Sequence, residues 1–275
     1  MPFFKTSDGL QLFYAETGAG APLLCLAGLT RNSQDFSFFA PHAGGTRMIS
    51  LDYRGRGQSE YDPDYMNYNI LREAQDVIEL LDYLNLPKAT ILGTSRGGLI
   101  AMALAAGHPD RLSGVVLNDV GPIIEPAGIA KIMDYVGKEP GLATYDEAAQ
   151  VLKHLMEPHF PGVTLDKWRQ QAEFQYAETA KGLALRYDAN LRQALIEQAE
   201  AGPAPDLWPL FDALRDIPTG VIRGANSDIL SRDTVRQMQD RHPGLIATDV
   251  PDRGHVPFLD EPQSLDIINR ILDAA

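Results

Sequence analysis

Ala89-Thr90-Ile91-Leu92-Gly93-Thr94-Ser95-Arg96-Gly97-Gly98-Leu99-Ile100-Ala101-Met102-Ala103-Leu104-Ala105-Ala106 is the stretch on which the reading of this chain turns. Ala89 to Leu92 is a short apolar run that suits a buried strand, and after Gly97 an Ala/Leu/Met-rich run has strong helix propensity. Between them sits Gly93-Thr94-Ser95-Arg96-Gly97. A serine on a sharp turn from strand to helix holds its hydroxyl at the sheet edge, in a strained backbone that only small neighbours allow. The helix behind it aims free N–H groups and its positive dipole end at whatever the serine attacks. An ordinary glycine-rich turn with a serine N-cap would use the same letters. The distinction therefore rests on finding a base, an acid and oxyanion donors elsewhere in the chain.

Outward from this stretch, strand and helix patterns alternate. Phe3 to Thr6 and Leu10 to Glu16 flank the turn signal Ser7-Asp8-Gly9 and predict an antiparallel hairpin. Leu23 to Leu26 and Arg47 to Leu51 read as strands, and Ile70 to Leu84 as an amphipathic helix. Gly114 to Leu117 follows as a strand closing at Asn118-Asp119. Such alternation predicts a parallel sheet covered on both faces. From about Pro122 to Pro205 the rhythm breaks into helical patterns alone: Tyr145 to Met156, Thr164 to Ala180 and Leu183 to Glu200, with Thr164 as an N-cap. Gly202-Pro203-Ala204-Pro205 reads as the hinge back to Thr219–Arg223 (strand), Ser231–Asp240 (helix capped by Ser231), Leu245–Val250 (strand) and Pro262–Ala274 (helix). The expected organisation is a core of residues 1–121 and 206–275 with residues 122–205 as an all-helical cap. That cap would lie over the carboxyl ends of the strands, where ligands of such sheets bind.

Composition bounds the partners. The 275 residues are 44% hydrophobic and 22% charged, ordinary for a globular protein, and the net charge of −13 argues against nucleic acid or anionic membrane. The single cysteine, Cys25, lies in an apolar run and excludes an intramolecular disulfide. The N-terminal residues lack a signal-peptide pattern and no apolar run is long enough to span a bilayer, so a cytoplasmic protein is expected.

A serine hydroxyl needs an adjacent base. Among the histidines, His42 and His242 sit beside prolines and His108 follows a helix end. His154 and His159 fall in the cap, where Glu157-Pro158 breaks the helix that would align them on a metal. His255 differs, because Asp252-Arg253-Gly254-His255-Val256-Pro257 directly follows the last strand and can swing the imidazole over the sheet edge. For the acid, Asp228 is favoured, placed after the strand Thr219–Arg223 and left free because Ser231 serves as the nearby cap. Asp119, which closes the preceding core strand, is its rival. The chain order Ser95…Asp228…His255 is then nucleophile, acid, base, the order expected when the serine sits on a strand-to-helix elbow. The backbone N–H groups of Leu29 and Arg96 are the expected oxyanion donors. The Arg96 guanidinium is expected to be structural, paired with a cap carboxylate or the 52–59 loop. Met133, Tyr135, Trp168, Phe174 and Tyr176 could line a pocket, although such residues at helical spacing more often pack cap against core.

With Gly28-Leu29, Asp52-x-Arg54-Gly55-x-Gly57-x-Ser59, Gly93-x-Ser95-x-Gly97-Gly98, Gly224-x-x-Ser227-Asp228 and Gly254-His255 in place, the chain resembles the α/β-hydrolases of the carboxylesterase type. The likeness covers essentially its full length apart from the cap. It implies a mostly parallel eight-stranded sheet flanked by helices, and hydrolysis of a small-molecule ester with no metal or organic cofactor. Leu-Ala-Gly-Leu-Thr-Arg with Asp35-Phe36, and Gly-Thr-Ser-Arg-Gly-Gly, resemble small bacterial esterases, some of which accept polyesters. One departure is Ala27-Gly28-Leu29-Thr30 where many relatives have His-Gly-x-Pro. Serine at 95 speaks against epoxide hydrolase and dehalogenase chemistry. Carbon–carbon or enol-lactone hydrolysis by the same triad, acyl transfer, and an idle ligand-binding relative are the competing readings. The oligomeric state, monomer or homodimer, stays open.

Overall fold

The computed structural model describes residues 2–275. Strands β1 (Phe3–Lys5), β2 (Gln11–Gly18), β3 (Ala21–Leu26) and β4 (Thr46–Leu51) precede helix α1 (Ile70–Tyr83). Strand β5 (Ala89–Thr94), helix α2 (Arg96–Gly107) and strand β6 (Leu112–Asn118) follow. Next come helices α3 (Pro126–Tyr135), α4 (Tyr145–Met156) and α5 (Leu165–Gln175), strands β7 (Tyr176–Thr179) and β8 (Gly182–Leu185), and helix α6 (Leu191–Glu200). The chain ends with α7 (Trp208–Asp212), β9 (Thr219–Gly224), α8 (Arg232–Arg241), β10 (Ile246–Val250) and α9 (Pro262–Ala274). The main sheet has eight strands in the order β1-β2-β4-β3-β5-β6-β9-β10, with only the β1–β2 and β2–β4 pairings antiparallel.

The central strands are apolar throughout because their side chains alternate between two dry faces. Leu24, Leu26, Ile91, Val115 and Leu117 pack with Val77, Leu81 and Ile100 of α1 and α2. Leu23, Cys25, Leu92 and Val116 pack on the other side with Ile267, Ile268 and Ile271 of α9. Each such side chain contributes on the order of 1.5–3 kcal/mol of burial. At the Gly93 and Gly97 positions the elbow needs glycine for space. A Cβ on Gly97 would come within 2.0 Å of the Leu26 carbonyl oxygen, and one on Gly93 within 2.6 Å of the Gly97 backbone.

The inserted segment departs from the all-helical expectation. Residues read as the end of one helix and the start of the next form the antiparallel pair β7–β8. The cause is local turn chemistry: the Thr179 hydroxyl accepts from the Lys181 N–H and donates to the Gly182 carbonyl, and Gly182 takes φ +109. A β-carbon there would also meet the Leu142 carbonyl at 2.7 Å. The helical stripe read over Leu183–Glu200 therefore begins only at Leu191. No helix among the described residues is long and apolar enough to cross a membrane.

Registry fixes which residues meet at the edge of the sheet. Leu26 pairs with Gly93, Thr94 with Asn118 and Asn118 with Ile222. The residues just past β3, β5, β6 and β9 thus emerge side by side.

Candidate active site

Ser95 lies between β5 and α2 at φ 51 and ψ −112, a backbone region that a residue with a Cβ occupies only under strain. Its N–H donates to the Asn118 carbonyl at 2.9 Å, which ties the turn to the neighbouring strand. The turn directs Oγ at His255, whose Nε2 is 2.9 Å away. Gly224 lets the loop carrying His255 pass, since a Cβ there would lie 2.4 Å from the Gly254 carbonyl oxygen. The Asn118 amide anchors that loop from beneath, donating to Thr94 Oγ1 at 3.1 Å and to the Pro257 carbonyl at 3.2 Å.

The other ring nitrogen, Nδ1, is 2.8 Å from Oδ2 of Asp119. Asp119 is fully buried and takes φ 56 one residue past β6. Its carboxylate also accepts from the Gly224 N–H at 2.8 Å and the Ser227 hydroxyl at 2.6 Å. A buried carboxylate requires such donors, because unpaired charge in a dry interior is costly. Ser227 is held in turn, accepting from the N–H groups of Ile229 and Leu230.

Asp228, the acid favoured from sequence, makes no hydrogen bond to His255 among the described residues. It pairs with Lys131 of α3, Oδ2 to Nζ 2.6 Å. Burial pushes its carboxyl up, but the hydrogen bond and charge of Lys131 outweigh this and hold it below the usual range. Ser231 does cap α8, accepting from the Thr234 N–H, yet this does not leave Asp228 free. The physical reason is position. Asp119 follows its strand by one residue, beside β5, whereas Asp228 stands four residues beyond the end of β9 and turns toward α3.

Gly28 brings the loop after β3 against the elbow, since a Cβ on it would lie 3.9 Å from Ser95 Cβ. Neither the Leu29 N–H nor the Arg96 N–H donates to any group among the described residues. The loop is fixed from below: the Tyr53 hydroxyl donates to the Ala27 carbonyl at 3.1 Å and Arg56 Nε to the Leu29 carbonyl at 3.1 Å. The Arg96 guanidinium pairs with neither of its expected partners. It meets Glu73 of α1, Nε to Oε2 2.6 Å. The other Glu73 oxygen lies 2.8 Å from Arg56 Nη1, as an ion contact and not a well-directed hydrogen bond. Glu73 and Arg56 are essentially buried and Arg96 nearly so. Burial lowers the Arg56 guanidinium below its ordinary range against the pull of Glu73. Glu73 carries no signal in the sequence, where it reads only as a polar residue on an amphipathic helix.

A cavity opens beside His255, lined among others by Arg31, Asp35, Thr94, Asn118, Trp168 and Gln171. Of the five aromatic and Met residues considered from sequence, Trp168 lines it. Phe174 packs edge-on against Phe38, and Met133 joins the Tyr68–Leu191 cluster. No group of three or more His, Cys, Asp or Glu that could hold a metal occurs among the described residues.

Comparison with known proteins gives a consistent picture. The model of the alpha/beta hydrolase family matches residues 23–265. The chain is 34% identical over 262 residues to a 3-hydroxybutyrate-oligomer hydrolase of Cupriavidus necator, covering 92% of this chain and 88% of that one. It is 27% identical to a 2-(acetamidomethylene)succinate hydrolase of Mesorhizobium japonicum, covering 96% and 92%. Among solved structures, an alpha/beta hydrolase from Novosphingobium aromaticivorans superposes with a TM-score of 0.92 at 37% identity, over 99% of this chain and 97% of that one.

Proposed function

Since the chain belongs to the alpha/beta hydrolase family, we propose that it hydrolyses carboxylic esters through an acyl-Ser95 intermediate, with His255 as base and Asp119 as the acid partner. The observation that carries this reading is the unbroken run of contacts from Ser95 Oγ through both nitrogens of His255 to the buried Asp119 carboxylate. An acceptor at Asp119 keeps the proton on Nδ1, so the lone pair on Nε2 faces the Ser95 hydroxyl. His255 takes the hydroxyl proton as Oγ attacks the ester carbonyl, and Asp119 stabilises the imidazolium that forms. The unused N–H groups of Leu29 and Arg96 receive the developing oxyanion. His255 then protonates the departing alcohol, and in the second half removes a proton from the water that attacks the acyl carbon. The elements α3–α6, inserted between β6 and α7, serve as the cap over this site.

The test is Ser95→Ala, which should lower turnover of a p-nitrophenyl acyl ester by roughly three or more orders of magnitude. A fluorophosphonate should label the wild-type protein at Ser95. Unchanged turnover in the variant would rule out the nucleophile.

A further inference from the structure

The cavity beside His255 contains a cation in an unusual position for a pocket meant for a plain alkyl chain. Arg31 and Ser95 root on one spot: a Cβ on Gly28 would lie 3.4 Å from Arg31 Cγ and 3.9 Å from Ser95 Cβ. The guanidinium is held by two neighbours. Nη1 contacts Asp35 Oδ1 at 3.1 Å and the Gln175 amide oxygen at 2.8 Å, and Nη2 contacts that same oxygen at 3.2 Å, with the amide turned to satisfy its neighbours. Three of the five guanidinium hydrogens are thereby engaged. Those left are on Nε and the outer side of Nη2, the side-on pair that takes a carboxylate through two parallel hydrogen bonds. The Arg31 side chain keeps 29% of its surface exposed and lines the cavity.

We propose that Arg31 binds a carboxylate on the substrate, so that the preferred esters carry an acid group a few bonds from the scissile carbonyl. This rests on the ester-hydrolase reading of the same site and adds the substrate class to it. Because Arg31 Cγ and Ser95 Cβ both lie near Gly28, and Arg31 lines the cavity together with His255, the carboxylate is placed within a few bonds of the ester. Asp35 offsets the charge of Arg31 in the resting pocket but engages only Nη1, and the Gln171 amide also faces it at 3.4 Å. Its role is to aim the guanidinium. The overall charge of −13 repels anions at a distance, yet exposed charges are screened beyond about 8 Å at physiological ionic strength. The direct contact therefore decides. The rest of the wall, including Phe160, Trp168 and Phe258, suits the uncharged arm of such an ester.

The experiment compares 4-acetoxybutanoate with 4-acetoxybutanamide, which differ only in the charged end, in wild type, Arg31→Gln and Arg31→Lys. In wild type kcat/KM for the carboxylate should exceed that for the amide by tenfold or more, mainly through KM. Arg31→Gln should bring the ratio near one and Arg31→Lys should leave it between the two. A ratio near one in wild type, or a full preference surviving in Arg31→Gln, overturns the proposal. Should Arg31→Gln fail to fold, the competitive inhibition of wild type by 4-hydroxybutanoate but not by 4-hydroxybutanamide decides the matter in the same sense. Failure of the underlying reading shows separately, as equal turnover of p-nitrophenyl acetate by wild type and Ser95→Ala.

Discussion

Replacing Asp119 by Asn separates the two candidate acids. The Oδ1 atom of Asp119 accepts from the Gly224 N–H, which can only donate, so in the variant the amide oxygen takes that position and the amide nitrogen takes that of Oδ2. The nitrogen then faces His255 Nδ1 at 2.8 Å as a donor. Nδ1 must become the acceptor, the ring proton moves to Nε2, and Nε2 presents a hydrogen to the Ser95 hydroxyl in place of a lone pair. Packing is retained and the base is lost. A wrong tautomer of this kind lowers turnover by about four orders of magnitude, or about 5 kcal/mol of activation free energy. Asp228→Asn breaks only a pair in which the Lys131 side chain is 54% exposed. Solvent-screened pairs of this sort contribute at most about 1 kcal/mol, and turnover should stay within about fivefold. The assay is kcat/KM on a p-nitrophenyl acyl ester at pH 8, with circular dichroism to check folding. Turnover of Asp119→Asn within tenfold of wild type, or an equal collapse in Asp228→Asn, would refute the assignment.

Two further perturbations test the surroundings. Glu73→Gln should reduce kcat by roughly ten- to a hundredfold with little change in KM, and destabilise the fold by about 3–5 kcal/mol, because Arg56 and Arg96 then share no buried counter-charge. Steady-state kinetics and thermal denaturation check both. At the far end of the sheet, Asp8 is partly buried, which raises its carboxyl, but hydrogen bonds from Arg54 and Thr6 and nearby cations bring it to about 2. A carboxyl depressed in the folded state adds stability above its unfolded value of about 3.9, and this is lost as pH falls toward 2. The side chain is 38% exposed, so the effect is small. Asp8→Asn should remove that part of the acid sensitivity, read as the difference between Tm at pH 5 and pH 3.

Much of the fold was readable from one dimension. Continuous apolar runs marked the buried strands, and glycines around Ser95 marked the elbow, because both follow from burial and steric room at single positions. The β7–β8 hairpin was not. Tyr176 to Leu185 has little length, and the helical stripe on either side carries across it. What breaks the stripe is a hydroxyl-braced turn at Thr179–Gly182. The Glu73 contact was equally hidden, since its two arginines come from the loop after β4 and from α2.

The acid shows most sharply where such reading stops. Asp119 and Asp228 both follow core strands near glycine, and each had a bland alternative as a turn residue. What distinguishes them is strand order: β6 lies directly against β5, in register Thr94 to Asn118, so the next residues on each strand are neighbours at the same edge. No local pattern encodes which strands are adjacent. Distance from the strand end is encoded, however, and it favours Asp119, which follows without an intervening residue. A carboxylate placed so early is also forced inward, where it needs donors, and the Gly224 N–H and the Ser227 hydroxyl come from the very next strand and its loop. Ser227 thus belongs to the same Gly224-x-x-Ser227-Asp228 segment that points to Asp228 in the sequence. The segment meets Asp119 through its serine, with the aspartate beside it turned to Lys131 of α3.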